Sequence, residues 1–200
     1  MRRTDKTFVL AQMVLAPVLV AWPQTTTEID LQPESKVWVE GTSSVRGYRC
    51  NALALNATLQ AAGGNAVQAI LAGDKVVSGA DLTIEASRLE CGNGTMNGHM
   101  RKAIKAEANP SIAFKLTSYD LEKSADTVRV QLTGDLTIAG TQKTVTLQAF
   151  AKDGGNGTLL VEGTHELLMT DYAIKPPTLM LGTLKVHNKV KVGFSLVLKD

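Results

Sequence analysis

The stretch CGNGTMNGHMRKAIKAEANPSIAF, residues 91–114, decides how this chain folds. It begins with Cys91, one of only two cysteines. It then holds the one convincing helical pattern beyond the first two dozen residues, Met96 to Ala106. Met96, Met100 and Ala103 fall on one side of that helix, and Arg101, Lys102 and Lys105 on the other. Thr95 precedes it and reads as the N-cap, because a hydroxyl there can accept from an orphan backbone amide. Asn109-Pro110 stops the helix. Ile112-x-Phe114-x-Leu116 then opens a strand with every second residue apolar. Nearly all the remaining sequence has that same period of two, so a single short helix is expected between the strands of an all-β protein.

Toward the C-terminus the alternation is regular. Thr127 to Ile138 places Val128, Val130, Leu132, Leu136 and Ile138 on one face, with Arg129, Gln131 and Asp135 on the other. Ala139-Gly140-Thr141-Gln142 turns the chain, and Lys143 to Lys152 returns. Asp153 to Gly157 (DGGNG) is a hairpin turn, since asparagine and glycine accept positive φ. Thr158 to Thr170 and Asn188 to Leu198 complete this half, separated by an irregular segment with Pro176-Pro177. Toward the N-terminus, Lys36 to Gly41 reads as a short strand. Ser43 to Gln60 reads as a long strand or bent pair, with Gly47 as its bend. Ala66 to Leu71 reads as a weak strand, and Asp81 to Leu89 as an alternating one.

Seven or eight amphipathic strands linked by hairpins point to an antiparallel barrel or sandwich. The inward residues are mostly aliphatic. In a barrel, Leu53, Leu55, Ile84, Ile112, Phe114, Leu116, Leu132, Leu136 and Ile138 are the candidate lining of an apolar cavity. The plainer reading makes the same residues solid core, and the protein a structural or partner-binding module with no ligand.

Residues 1–21 read as a signal peptide. MRRTDK is basic, and the 16 apolar-rich residues from Thr7 to Trp22 fall short of the ~20 a membrane helix needs. A retained anchor is the alternative. Residues 22–35 read as a flexible tail and 36–200 as one domain. Export suits the cysteines: Cys50 and Cys91, 41 positions apart, either pair in an oxidising compartment or stay as two buried thiols. The formal charge of +2 comes entirely from the leader, leaving 18 basic and 18 acidic residues beyond it. That balance gives no electrostatic case for nucleic acid.

The motifs of several enzyme classes are missing. His99, His165 and His187 lack the short fixed spacing of a zinc site, and no G-x-S-x-G elbow occurs. Met96-x-x-His99-Met100 offers soft ligands of the kind copper takes, but reads as helix packing. His165 alternates in register with apolar neighbours, which places it inside a barrel or at a strand edge. No cofactor, metal or catalytic residue is expected.

Three segments together resemble the YceI-like domain family of exported bacterial proteins with a lipocalin-like barrel. VEGTSSVRGYRC resembles the family's approach to its first long strand. MNGHMRKAIKAEANPSIAF resembles its helix and following strand through His99, Met100, Arg101, Pro110, Ile112 and Phe114. GDLTIAGTQKTVTL resembles its G-x-L-T-I-x-G-x-x-K-x-V-x-L hairpin through Gly134, Leu136, Thr137, Ile138, Gly140, Lys143, Val145 and Leu147. One family motif, Arg-x-Asp-Phe-Gly, is only partly kept in MTDYA, where Asp171 and Tyr172 stand without the arginine or the glycine. The resemblance implies an eight-stranded lipocalin-like barrel in the periplasm or outside the cell. It also implies a long-chain isoprenoid, such as a quinone or polyprenyl chain, or other lipid held in the interior, and it leaves room for transient contact with a membrane.

Overall fold

The computed structural model describes residues 26–179 and 183–200. The strands are β1 (Thr26–Leu31), β2 (Lys36–Ser43), β3 (Gly47–Ala52), β4 (Leu55–Ala62), β5 (Val77–Glu85), β6 (Leu89–Glu90), β7 (Ser111–Ser124), β8 (Thr127–Ile138), β9 (Thr141–Gly155), β10 (Thr158–Leu168), β11 (Thr178–Leu179) and β12 (Leu184–Lys199). Helix α1 (Ala66–Ala72) joins β4 to β5, and α2 (Gly94–Ala103) joins β6 to β7.

Several of these strands are halves of one bent element. The long β12 pairs with β2 from Val186 to Ser195 and with β1 at Leu198 and Lys199. β3 pairs with β2 while β4 pairs with β1, and β6 continues β5 past a 3₁₀ turn at Ala86–Arg88. Taken as bent units, eight antiparallel strands each lie beside their sequence neighbour, and the last closes on the first. The result is a closed eight-stranded antiparallel barrel, as expected, though with two short helices. Closure leaves no long exposed sheet edge in the ring.

The alternation seen in the sequence sorts the faces. Val128, Val130, Leu159, Val161, Val190, Phe194 and Leu198 are buried inside, and no polar or charged residue among those described is fully buried. Outside, charges pair across neighbouring strands: Arg129 with Glu122 at 2.8 Å, and Lys152 with Glu162 at 3.0 Å. Pairs this exposed contribute little each. Trp38 also lies outside, over Gly193, with the Arg49 guanidinium 4.4 Å from its ring centre.

The turns follow local chemistry. Ala139 and Gly140 take φ of 50° and 78°, the pair of positive values a two-residue hairpin turn needs, and Ile138 faces Thr141 across it.

Four expectations are corrected. Ala66–Ala72 is a helix rather than a weak strand: Ala66, Val67 and Ile70 share one buried face, and Gly73 ends it with φ of 95°. Thr26–Leu31, expected in the loose tail, is the strand that closes the barrel. Gly47 begins β3 next to a hairpin, and the bend falls instead at Leu53-Ala54. The N-cap of α2 is Asn93, whose Oδ1 accepts from the Met96 N–H at 3.0 Å, rather than Thr95. The leader, residues 1–21, lies outside the described residues.

Candidate functional site

The barrel is hollow. A cavity of about 450 Å³ lies within it, lined almost wholly by apolar side chains. Small-molecule sites commonly have roughly 300–1,000 Å³.

One end of the cavity is a packed floor. Helix α1 contacts β8, β9 and β10 there, with Val67 and Ile70 turned inward. Its cap residue Asn65 makes no capping bond; instead the Asp200 carboxylate accepts from the Val67 N–H at 3.2 Å. Asp200 thus supplies the acceptor that the helix start lacks. Around the floor Ile29, Ala61, Val128, Ala151 and Leu159 are at most 1 % exposed.

The other end carries α2 and the β2–β3 hairpin. Met96, His99, Met100 and Ala103 of α2 line the cavity, joined by Ser43, Val45 and Arg46. The helix start is held by short polar links. Cys91 N–H donates to Asn97 Oδ1 at 2.7 Å, and Gly92 N–H donates to Glu90 Oε1 at 2.9 Å. The Cys50–Cys91 disulfide ties the same point to β3.

Three aromatic rings keep close to the wall. A Cβ added at Gly41 would overlap the Tyr48 ring, one at Gly163 the Phe194 ring, and one at Gly134 the Phe114 ring at 2.5 Å. Gly41 and Tyr48 are cross-strand partners, as are Gly163 and Phe194. Each ring therefore lies over the bare backbone of the neighbouring strand. Larger residues at these glycines would push the rings into the lumen.

The polar groups of the lining are few. His165 takes an inward position on β10, opposite Val192 of β12. Burial holds its imidazole below the ordinary histidine value, against the smaller opposing pull of the Glu166 carboxylate, so it is neutral at pH 7. Burial pushes the Tyr48 hydroxyl above the usual tyrosine range. Tyr119 is already engaged, its hydroxyl accepting from the Val77 N–H at 2.9 Å. No group of three or more histidine, cysteine, aspartate or glutamate side chains is placed to hold a metal among the described residues.

Of the residues expected to line a cavity, Ile84, Ile112, Phe114, Leu116, Leu132, Leu136 and Ile138 do so. Leu53 does not: it sits on the bend between β3 and β4 and is 59 % exposed. Leu55 pairs with Ile84 and packs on the core without reaching the lumen. The bend explains Leu53 alone, because Leu55 shares the inward phase of Ala57 and Leu59 and packs on the core outside the cavity's lining. Tyr48, Cys50 and Ala52 face inward on β3, while Ala57, Leu59 and Ala61 do so on β4, so the inward phase shifts by one residue. The sequence reading missed the far wall, where Val161, Val192 and Leu196 line the cavity. Their alternation in Thr158–Thr170 and Asn188–Leu198 was the available signal.

A match to the YceI-like domain runs over residues 32–198. The chain belongs to the YceI-like domain family. Among curated proteins, none matches it. Several solved structures share the family's barrel. BcnA from Burkholderia cenocepacia superposes with a TM-score of 0.66 at 18% identity, covering 84% of this chain and 99% of that one. A polyisoprenoid binding domain from Saccharophagus degradans, implicated in plant cell wall breakdown, gives 0.59 at 14%, covering 88% and 99%. The Campylobacter jejuni YCEI protein gives 0.56 at 18%, covering 74% and 82%. The glycines of the family hairpin have physical reasons here: Gly134 makes room for Phe114, and Gly140 takes the positive φ of the turn.

Proposed function

We propose that this protein is an exported lipid carrier that holds a long apolar chain of the isoprenoid class inside its barrel. The observation that carries the reading is the cavity of about 450 Å³, apolar along nearly its whole lining. Each 100 Å² of apolar surface taken out of water contributes ~2.5 kcal/mol, and part of that is offset by the freedom the chain loses on binding. A flexible hydrocarbon chain suits such a lumen better than a polar metabolite, which would find few partners there. The polyisoprenoid binding domain of Saccharophagus degradans, with the same fold, supports the class of ligand. The Cys50–Cys91 bond and the basic, apolar leader support export to the periplasm or beyond.

The test places a charge in the lumen. Leu132→Asp combined with Leu136→Asp should abolish uptake of an added prenyl lipid by a variant that remains folded. Undiminished uptake by that variant would count against the carrier reading.

A further inference from the structure

We propose that the α2 end of the barrel docks on an anionic lipid bilayer, with its basic rim on the headgroups and the tip of the β2–β3 hairpin below them. The inference concerns the outer surface and holds whatever the lumen carries.

Beyond the leader the chain has 18 basic and 18 acidic residues, yet the barrel separates them. The segments that join elements at the α2 end carry Arg46, Arg101, Lys102, Lys105 and Lys175, against Glu107 and Asp171. Those at the α1 end carry Glu34, Asp74 and Asp126, with Asp200 after β12, against Lys75. All five rim cations are exposed. None forms an ion pair among the described residues, whereas Arg49, Arg129, Lys152, Lys189 and Lys191 on the flank each pair with a glutamate. The Arg46 guanidinium touches the Met96 sulfur at 4.0 Å, and that of Arg101 donates to the Ser87 carbonyl at 3.4 Å. Most of their five donors stay available. The carboxylates beside α2 are already engaged: Glu85 accepts from Ser87, and Glu90 from Asn97 and the Gly92 N–H.

The cavity meets the surface at this same end, its mouth. Val45 and Arg46 both line it, and both are exposed at the hairpin tip. Lysines and arginines gain from the negative potential of an anionic bilayer, a field that fades within about 10 Å at 0.1 M salt. The rim is drawn to that surface while the acidic α1 end is repelled, so the field turns the mouth toward the lipid. Val45 then leaves water for the interface. A nucleic acid would engage the same charges, but it gains nothing from the valine. It also needs rings on which to stack bases, and the one ring in the rim segments, Tyr172, is buried.

The experiment measures co-sedimentation of the purified protein with vesicles of phosphatidylcholine, with and without one quarter phosphatidylglycerol. No prenyl lipid is present, so the result is independent of the carrier reading. Partitioning should be at least about tenfold stronger onto the anionic vesicles at 20 mM salt, and should collapse at 0.5 M. Lys102→Glu with Lys105→Glu should lose at least about tenfold, whereas the same charge change at the far end, Lys36→Glu with Lys199→Glu, should keep nearly all of the binding. Val45→Trp should show a blue-shifted emission on the anionic vesicles relative to the parent protein. Equal partitioning onto both vesicles, or equal losses in the two double variants, overturns the proposal. Binding with the Val45→Trp emission unshifted also overturns it, because the rim would then be a site for any polyanion.

Discussion

The two helices of this barrel are of similar size and play opposite parts. α1, seven residues long, buries Ala66, Val67 and Ile70 and seals one end. α2, ten residues long, buries none of its residues and stands at the other end, where it lines the cavity. The N-terminus of α1 has no side-chain cap of its own and takes an acceptor from Asp200, just past the end of β12. α2 has its own cap in Asn93 but little packing, and a disulfide fastens its start. Beside it Val45 is 71 % exposed at the tip of the β2–β3 hairpin. α1 closes the floor, and α2 with the β2–β3 hairpin borders the cavity at the other end.

The largest expected effect separates covalent from packed stability. Removing the Cys50–Cys91 link, which closes a 41-residue separation, should lower stability by about 4 kcal/mol on the chain-entropy account, read from urea midpoints with and without reductant. A change below about 1 kcal/mol would show that the mouth is tied down without it. Next comes the floor itself. Leu159→Ala, at a position 1 % exposed, should cost about 3 kcal/mol. Met100→Ala on α2 should cost about 1 kcal/mol or less. Equal costs for the two would erase the contrast between the ends. Gly163→Ala acts on the lumen wall: it should cost about 2 kcal/mol by driving Phe194 off the backbone, and it should shrink lipid capacity. Adding Phe194→Ala should restore that capacity.

Much of this was legible beforehand, and the failures have physical causes. β8 runs over the residues its alternation marks, Thr127 to Ile138, because one face is in the core and the other in water along its whole length. The hairpin after it was readable from Ala139-Gly140. α1 was misread because a run of seven mostly apolar residues fits a buried strand or a buried helix equally well; Gly73 was the signal that would have decided it. β1 was overlooked because TTEIDL holds only two large apolar residues between charges, and its pairing depends on partners at Leu59 and Leu198, remote in sequence. Seven of the nine residues expected to line the cavity do so, on β5, β7 and β8. The expectation failed at Leu53, where a bend shifts the inward phase, and at Leu55, which faces inward but packs on the core beside that bend. The place of His165 was half visible: it stood in register with apolar positions, but only closure of the barrel shows that it lines the cavity.

The smallest expected effect is a pH response of the lumen. The unfolded chain takes up a proton on His165 near pH 6.5, and burial moves that uptake to lower pH in the folded barrel. Between those two values the unfolded form holds more protons, so stability is complete above about pH 6.5 and declines as the pH falls below it. His165→Leu should flatten that part of a thermal-melting profile. An unchanged slope in the variant would place the response elsewhere.

The central claim is that the barrel carries a long apolar lipid. Mass spectrometry of an organic extract from protein purified gently from its native compartment addresses it most directly. The expected result is a single class of isoprenoid, close to one molecule per barrel. A lipid-free, monodisperse protein that also refuses added prenyl lipids would contradict it.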